Sequence, residues 1–391
     1  MIQPSVTKFK ELVNDSWPAR VNGIFVSILL ALSVFLLFGC AYKRETVKID
    51  RSGQKGYPIA VLAFENLSGT SAPIKEIRTA LINGLRNQGF DVLEEEALQK
   101  IMARHRIRYV GGLDQAAAQA FKTEAGIEGV LLTSLELYIE TVPPKISMTS
   151  RLVSTGDKTT ILWMDGVGMA GDDSPGVLGL GLIEDYRVLV NRALQSLSDS
   201  LANYVWKGKE PVFGKGRERR FEPKIAYRSP EIDPGGKYTL AVLPFLNSTN
   251  RRNAGEMVAL QFTRELTKLE NLNILELGIV RQRLLNARVI MQEGIALADV
   301  DAVANSLEAD FVMTGKVMDY QDYEGSGGTP KIDFSMQILE RRSRKIVWSS
   351  LSHNAGDDGV FFFDRGRINT THVMMGRMVR AIGKKILEEK I

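Results

Sequence analysis

The stretch YPIAVLAFENLS at Tyr57–Ser68 returns as YTLAVLPFLNST at Tyr238–Thr249. Tyr, Ala, Val, Leu, Phe and Asn keep one offset of 181 residues, from Tyr57 to Tyr238 and again from Asn66 to Asn247. An apolar run that ends in a polar turn is common on its own. The residues downstream of each copy therefore decide whether the likeness is a repeat.

The first copy is followed by Ile74–Asn87, with apolar residues at Ile74, Ile77, Leu81, Ile82 and Leu85, which is helix spacing closed by Gln88-Gly89. A short strand over Phe90–Leu93 and helices over Glu95–His105 and Ala116–Ala125 come next. Strands over Gly129–Tyr138, Lys145–Ser154 and Thr159–Gly168 follow, then a long amphipathic helix over Glu184–Trp206. The second half predicts the same order. Helices fall at Met257–Leu269, Val280–Ala287 and Asp299–Leu307, with a short strand at Leu272–Leu275. Strands follow at Asp310–Tyr320, Lys331–Glu340 and Lys345–Ser352, and a last helix at Ile368–Lys390. Thr133 matches Thr314, Trp163 matches Trp348, and Gly171-Asp172-Asp173 matches Gly356-Asp357-Asp358. Order, spacing and identities together make this a duplication. The expected fold is α+β (an α/β sandwich): two similar domains in tandem, each a mixed β-sheet packed with three to four helices. Each half is expected to carry its own core and to fold alone.

The 391 residues carry a net charge of +4, with 50 Lys and Arg dispersed among 46 acids, which disfavours a nucleic-acid binder. A single Cys excludes an intramolecular disulfide and a Cys-based metal cluster. His105, His353 and His372 are too scattered to suggest zinc. Lys207–Gly236 is rich in Gly, Pro and charge and reads as an extended linker that cannot bury enough apolar surface to order itself. The boundaries are then 1–39 signal peptide, 40–56 lipidated tether, 57–206 first domain, 207–236 linker and 237–391 second domain.

At the N-terminus, Lys8, Lys10 and Arg20 precede an apolar run from Val21 to Phe38, and Leu37-Phe38-Gly39 leads into the one Cys, Cys40. A basic region, an apolar region and a small residue before the cut describe a secretory signal. The Leu37–Cys40 pattern resembles a bacterial lipobox, which implies acylation of Cys40. Ala41 after it, rather than Asp, implies retention on the outer-membrane side. A signal anchor is the competing reading. Lys43, Arg44, Lys48 and Arg51 beyond Cys40 disfavour it.

AVLPFLN in the second copy, ADFVMTGKV at Ala309–Val317 and KIVWS at Lys345–Ser349 resemble the CsgG-like and TolB N-terminal-like (curli-secretion-type) superfamily of outer-membrane lipoproteins. The resemblance covers each half from first strand to last helix. It implies an α/β sandwich on the periplasmic face of the outer membrane, held there by lipid through acylated Cys40. It also implies envelope protein partners and a homo-oligomeric ring. The expected role is a non-enzymatic scaffold or accessory in secretion, polysaccharide export or envelope assembly. The alternative is a module that binds peptide or glycan. The hairpins are too short or too Gly-rich to build a membrane pore.

Catalytic chemistry is hard to assemble from this sequence. Asp172-Asp173 and Asp357-Asp358 fit turns between strand and helix better than acid–base pairs. Neither GSGG at Gly325–Gly328 nor GVLGLGL at 176–182 has phosphate-loop spacing. Trp163 and Trp348 sit in apolar strands and are expected in the core. No catalytic, cofactor or metal residue is assigned. The expected contact loops are the apolar stretches after the Asp pairs, with Val177, Leu178, Leu180 and Leu182 in one and Phe361, Phe362 and Phe363 in the other. Three adjacent Phe cannot all face inward from a strand.

Overall fold

A computed structural model describes residues 56–108, 110–174, 181–214, 219–230, 232–233, 235–286, 288, 303–325, 327–360 and 366–387. Cys40, Val177, Leu178, Leu180 and Phe361–Phe363 lie outside these residues, as does the apolar run before Cys40.

The repeated motif is a strand followed by a side-chain-locked turn. In the first copy, β1 (Tyr57–Val61) and β2 (Glu65–Asn66) end at Asn66. Its Oδ1 accepts from Ser68 N at 3.0 Å and its Nδ2 donates to Thr70 O at 2.8 Å. In the second copy, β8 (Tyr238–Val242) and β9 (Leu246–Asn247) end at Asn247, which makes the same bonds to Thr249 N at 3.0 Å and Arg251 O at 2.8 Å. The Asn side chain supplies the turn's hydrogen bonds itself, which is why Asn stands at both positions.

The first repeat continues through α1 (Ile74–Asn87), β3 (Phe90–Val92), α2 (Glu95–Arg104) and α3 (Gln115–Ala125). It closes with β4 (Gly129–Ile139), β5 (Lys145–Ser154), β6 (Ile161–Ala170) and α4 (Tyr186–Lys207). Helix α3 starts where Asp114 accepts from Ala117 N at 2.8 Å and stops at Gly126 in the left-handed region. Between the repeats lie a 3-10 turn (Arg219–Phe221) and β7 (Ile225–Arg228). The second repeat adds α5 (Ala254–Leu266), β10 (Leu272–Ile274), α6 (Leu277–Asn286), β11 (Phe311–Gln321), β12 (Lys331–Glu340), β13 (Ile346–Ala355) and α7 (Thr371–Leu387).

Each repeat builds one mixed sheet. The first runs β3-β1-β4-β5-β6, with β2 on β4, and the second runs β10-β8-β11-β12-β13-β7, with β9 on β11. The first strand of each repeat is parallel to both neighbours, and the last three long strands are antiparallel. Even the irregularities repeat. A bulge skips Glu136 between Leu135 and Leu137, and another skips Met318 between Val317 and Asp319.

Strand β7 departs from the sequence reading of 207–236 as a linker unable to order itself. Ile225–Arg228 pairs antiparallel with β13, and Phe221 is fully buried. The segment needs no core of its own, because β13 offers a ready edge of backbone donors and acceptors. Asn354 Nδ2 donates to Arg220 O at 2.8 Å and helps hold the turn in place.

The layers also depart from two self-contained cores. Helices α1 and α4 cover one face of the first sheet, and α2 and α3 cover part of the other. Helices α5 and α7 cover one face of the second sheet, while α6 and the helical turn at 303–307 cover part of its reverse. The core around α5 and α7 also takes in Leu67, Ile161 and Met164 of the first repeat. Met257–Leu266 is accordingly buried around its whole circumference. The two repeats form a stack of sheet, helices, sheet. Gly166 and Gly168 of β6 allow the close approach. A Cβ at Gly166 would lie 2.6 Å from Arg264 Nη1 and 2.7 Å from His372 Cε1.

Gly166→Val should therefore destabilise the protein by about 1–3 kcal/mol, because the side chains above it are held by hydrogen bonds and cannot retreat. Gly327→Ala, with nothing within 4 Å of its Cβ, should leave the urea midpoint nearly unchanged. Equal midpoints for the two variants would show that the repeats do not meet at β6.

Candidate functional site

The polar groups that the structure gathers lie between the repeats. The bulge turns Glu136 out of the alternation of β4 and into the layer occupied by α5 and α7. Only 1% of Glu136 remains exposed. Its Oε2 accepts from Gln261 Nε2 at 2.6 Å and lies 3.0 Å from His372 Nδ1, while Thr149 Oγ1 donates to its Oε1. Arg264 Nη1 meets His372 Nε2. A guanidinium can only donate, so Nε2 is the bare nitrogen of a neutral ring, and Nδ1 carries the proton toward Glu136. Arg264 also reaches Glu265 Oε1 at 2.8 Å, and Lys268 and Arg380 reach the same carboxylate at 3.3 and 3.2 Å.

Two further crossings flank this centre. Arg151 of β5 and Glu276 before α6 form a fully buried pair at 3.2 Å. Arg151 Nη2 donates to Gly111 O at 2.6 Å, and Glu276 Oε2 accepts from Leu113, Gly278 and Ile279 N–H groups. Arg251, from the duplicated turn, donates to Glu136 O at 2.7 Å and Leu67 O at 3.2 Å, and faces Asp322 at 3.7 Å. Buried charges survive only when paired and hydrogen-bonded in this way.

The electrostatics follow from burial and these neighbours. Burial and the Arg264 guanidinium push His372 down, against the pull of Glu136. Burial would raise Glu265, but Arg264, Lys268 and Arg380 hold it down at about 2. Burial opposes the ionised form of Glu136 too, yet His372, Thr149 and Arg264 keep it below its usual range. Burial raises Glu276 despite Arg151, and raises Asp322 despite Thr371 and Arg251.

The second sheet offers a different surface. In the first sheet, β4 and β5 are buried on both faces. In the second, β11 from Lys316 onward and β12 up to Ile338 alternate between buried residues under α5 and α7 and accessible ones on the reverse. That reverse face carries Lys316 and Met318 on β11, Ser335 and Gln337 on β12, and Leu351 and His353 on β13. Strand register places Tyr227 beside Ser349 and Ile225 beside Leu351. Ile225 is 65% exposed, Tyr227 53% and Met318 38%. The first sheet fills the matching area with α5 and α7.

Both Asp pairs sit in the turns expected of them. Asp173 Oδ2 accepts from Ala170 N at 2.7 Å, and Asp358 Oδ2 from Ala355 N at 2.9 Å. Trp163 and Trp348 are buried in the core. Leu182, of the expected contact loops, is half-buried. Among the described residues no group of three or more His, Cys, Asp or Glu is placed to hold a metal ion. Among them, too, no helix is long and apolar enough to cross a membrane. The sequence reading missed Glu136, Gln261, Arg264 and His372. The one signal for them was Gly166-Val167-Gly168, since glycine inside a strand marks a close approach.

No family model and no curated protein matches the chain. Solved structures similar to it include a PelC dodecamer from Paraburkholderia phytofirmans, at 15% identity and TM-score 0.27, covering 40% of this chain and 94% of that one. Lipoprotein GNA1162 from Neisseria meningitidis is 17% identical with TM-score 0.27, covering 37% of this chain and 99% of that one. The LpoB C-terminal domain from Escherichia coli is 14% identical with TM-score 0.24, covering 31% and 84%. At these scores the likeness assigns no function, and the CsgG-like resemblance stands on the sequence motifs alone.

His372 stays neutral in the fold but takes a proton in the unfolded chain near its ordinary value of 6.5. Its share of the stability is whole above about pH 6.5 and is lost as the pH falls. Glu136 and Glu265 add losses below their ordinary 4.5, whereas the raised Glu276 and Asp322 act the other way. Urea midpoints should thus fall from about pH 7 to about pH 5, and His372→Gln should flatten that slope. Glu136→Ala should cost about 3–5 kcal/mol at neutral pH by leaving its partners buried and unpaired, and Glu136→Gln clearly less. An unchanged slope in His372→Gln would show that the histidine does not carry the acid response.

Proposed function

We propose that this chain is a non-enzymatic lipoprotein of the bacterial envelope that works through protein contacts. It serves as a scaffold or accessory in secretion, polysaccharide export or envelope assembly. The observation that carries the reading is how the side chains are used. Among the described residues the buried acids, bases and histidine of the junction are consumed in pairing with one another, within the second repeat and across to the first, whereas Ile225, Tyr227 and Met318 stay exposed together on one sheet face. A surface of that kind suits association better than turnover. The lipobox-like Leu37–Cys40 supports a periplasm-facing position under the outer membrane, with Cys40 acylated and 1–39 removed as a signal peptide. On this reading 40–56 is a tether, and 57–206 and 237–391 are the two domains. Envelope proteins are the partners, and nucleic acid is not one.

Expression in a Gram-negative host with an alkyne fatty acid should label the wild-type chain and place it in the outer-membrane fraction. Cys40→Ser should lose the label and leave the membrane. A Cys40→Ser chain that resists carbonate extraction would restore the signal anchor. A photo-crosslinking residue at Gln337, in the middle of the open face, should give discrete adducts in intact cells. Its failure to crosslink to any protein would remove the contact role.

A further inference from the structure

One junction inside the chain joins the two repeats. In it, the reverse of the first sheet receives a helix pair, α5 and α7. Its two complements are both free of it. Among the described residues no helix pair covers the reverse of the second sheet at the matching place, and the outer side of α1 and α4 faces away from their own sheet, with Glu76, Asn83, Asn87, Asn191 and Gln195 exposed.

Hydrogen-bond register fixes which residues correspond. Met318 is the bulge residue that matches Glu136. Leu351 opposes Ser335 as Gly166 opposes Thr149, and His353 opposes Asp333 as Gly168 opposes Ser147. Leu269 N bonds Leu266 O as Gln88 N bonds Leu85 O, so Ala80 and Asn83 stand where Gln261 and Arg264 do. Ile368 N bonds Gly356 O as Ile183 N bonds Gly171 O, so Asp185 and Arg187 stand for Thr370 and His372.

We propose that a second copy of this chain lays its α1 and α4 on the reverse of the second sheet, repeating the internal junction between molecules. This rests on reading the open face as a contact surface and names its occupant. The exchanges on the two surfaces are matched. The hydrogen-bonded Glu136–Gln261 pair becomes the apolar pair Met318 and Ala80. Gly166 beneath the long Arg264 becomes Leu351 beneath the shorter Asn83, so volume moves from helix to sheet. Gly168, whose Cβ would meet Thr370 Oγ1 at 2.8 Å, becomes His353 opposite the carboxylate of Asp185. Arg187 comes over Asp333, whose Oδ1 has no hydrogen-bond partner among the described residues. The two surfaces differ, so the contact is head-to-tail, and each added copy presents a fresh sheet until the chain of copies closes.

The test uses the detergent-solubilised full chain with Cys40→Ser, which leaves engineered cysteines as the sole thiols. Ala80→Cys mixed with Met318→Cys should crosslink to dimers with a short bis-maleimide. The double variant should give a ladder, and each single variant alone should stay uncrosslinked. Leu351→Glu should weaken association at least about tenfold, measured by light scattering across a dilution series, by burying an unpaired charge. Its melting temperature should hold, because Leu351 is not core. Dimers from one single variant would mean a back-to-back contact and would overturn the proposal. So would a chain that remains monomeric, or oligomers indifferent to Leu351→Glu that give no ladder. A monomeric purified chain that still crosslinks to another envelope protein through Gln337 would leave the contact role standing and refute self-association.

Discussion

From Met257 to Leu266, helix α5 has no side that faces water, and the arrangement of both repeats answers to that constraint. One stripe, through Val258, Phe262 and Leu266, fills the core of its own sheet. The opposite stripe carries Gln261, Arg264 and Lys268, which would be an ordinary solvated surface had the first repeat not covered it. A buried guanidinium is tolerable only if its donors find acceptors. His372 and Glu265 supply them, and Glu136 in turn supplies His372. The bulge in β4, the glycines in β6 and the approach of Gly376 in α7 are the steric conditions for this set to meet. Without any one of them the sheets would stand too far apart, or the charges would lie unpaired.

The periodic parts of this fold were legible before the structure. Spacings of 3.6 and 2 located α1, β5 and β12 with their observed ends, because each has a single dominant environment. The duplicated Asn turns were legible too, since their hydrogen bonds are local. The junction was not. A stripe of Gln261, Arg264 and Lys268 has the same pattern whether it meets water or a second sheet, and Glu136 sits in an apolar run where nothing local announces a bulge. Strand β7 was hidden for the opposite reason. Its surroundings have the composition of a linker, and its order comes from the edge of β13 rather than from its own residues.

The likeness of the two repeats in backbone contrasts with the divergence of their surfaces. Apart from the added β7, strand pairings, bulges and turn bonds agree between the repeats, while Glu136 and Met318, or Gly166 and Leu351, differ in chemistry. Backbone geometry is shared because it holds up either sheet. The faces differ because one is permanently occupied within the chain, whereas no helix pair covers the other among the described residues. The duplication has thus made one surface structural and left its counterpart available, which a single copy could not do.

The bonds across the junction span large stretches of chain: 125 residues from Glu136 to Gln261 and 236 from Glu136 to His372. Closing loops of that length adds little thermodynamic cost, because the entropy grows only with the logarithm of length, but such contacts form late. The first repeat is synthesised first and has local strand pairings of its own, so it can stand as a surface before the second arrives. Until α5 docks, its polar stripe faces water and is hydrated like any surface helix. The residues that later become a buried ionic junction therefore also keep the unfinished molecule soluble. An all-apolar junction would pack as well at the end, yet would expose a sticky helix throughout the interval before the last loop closes.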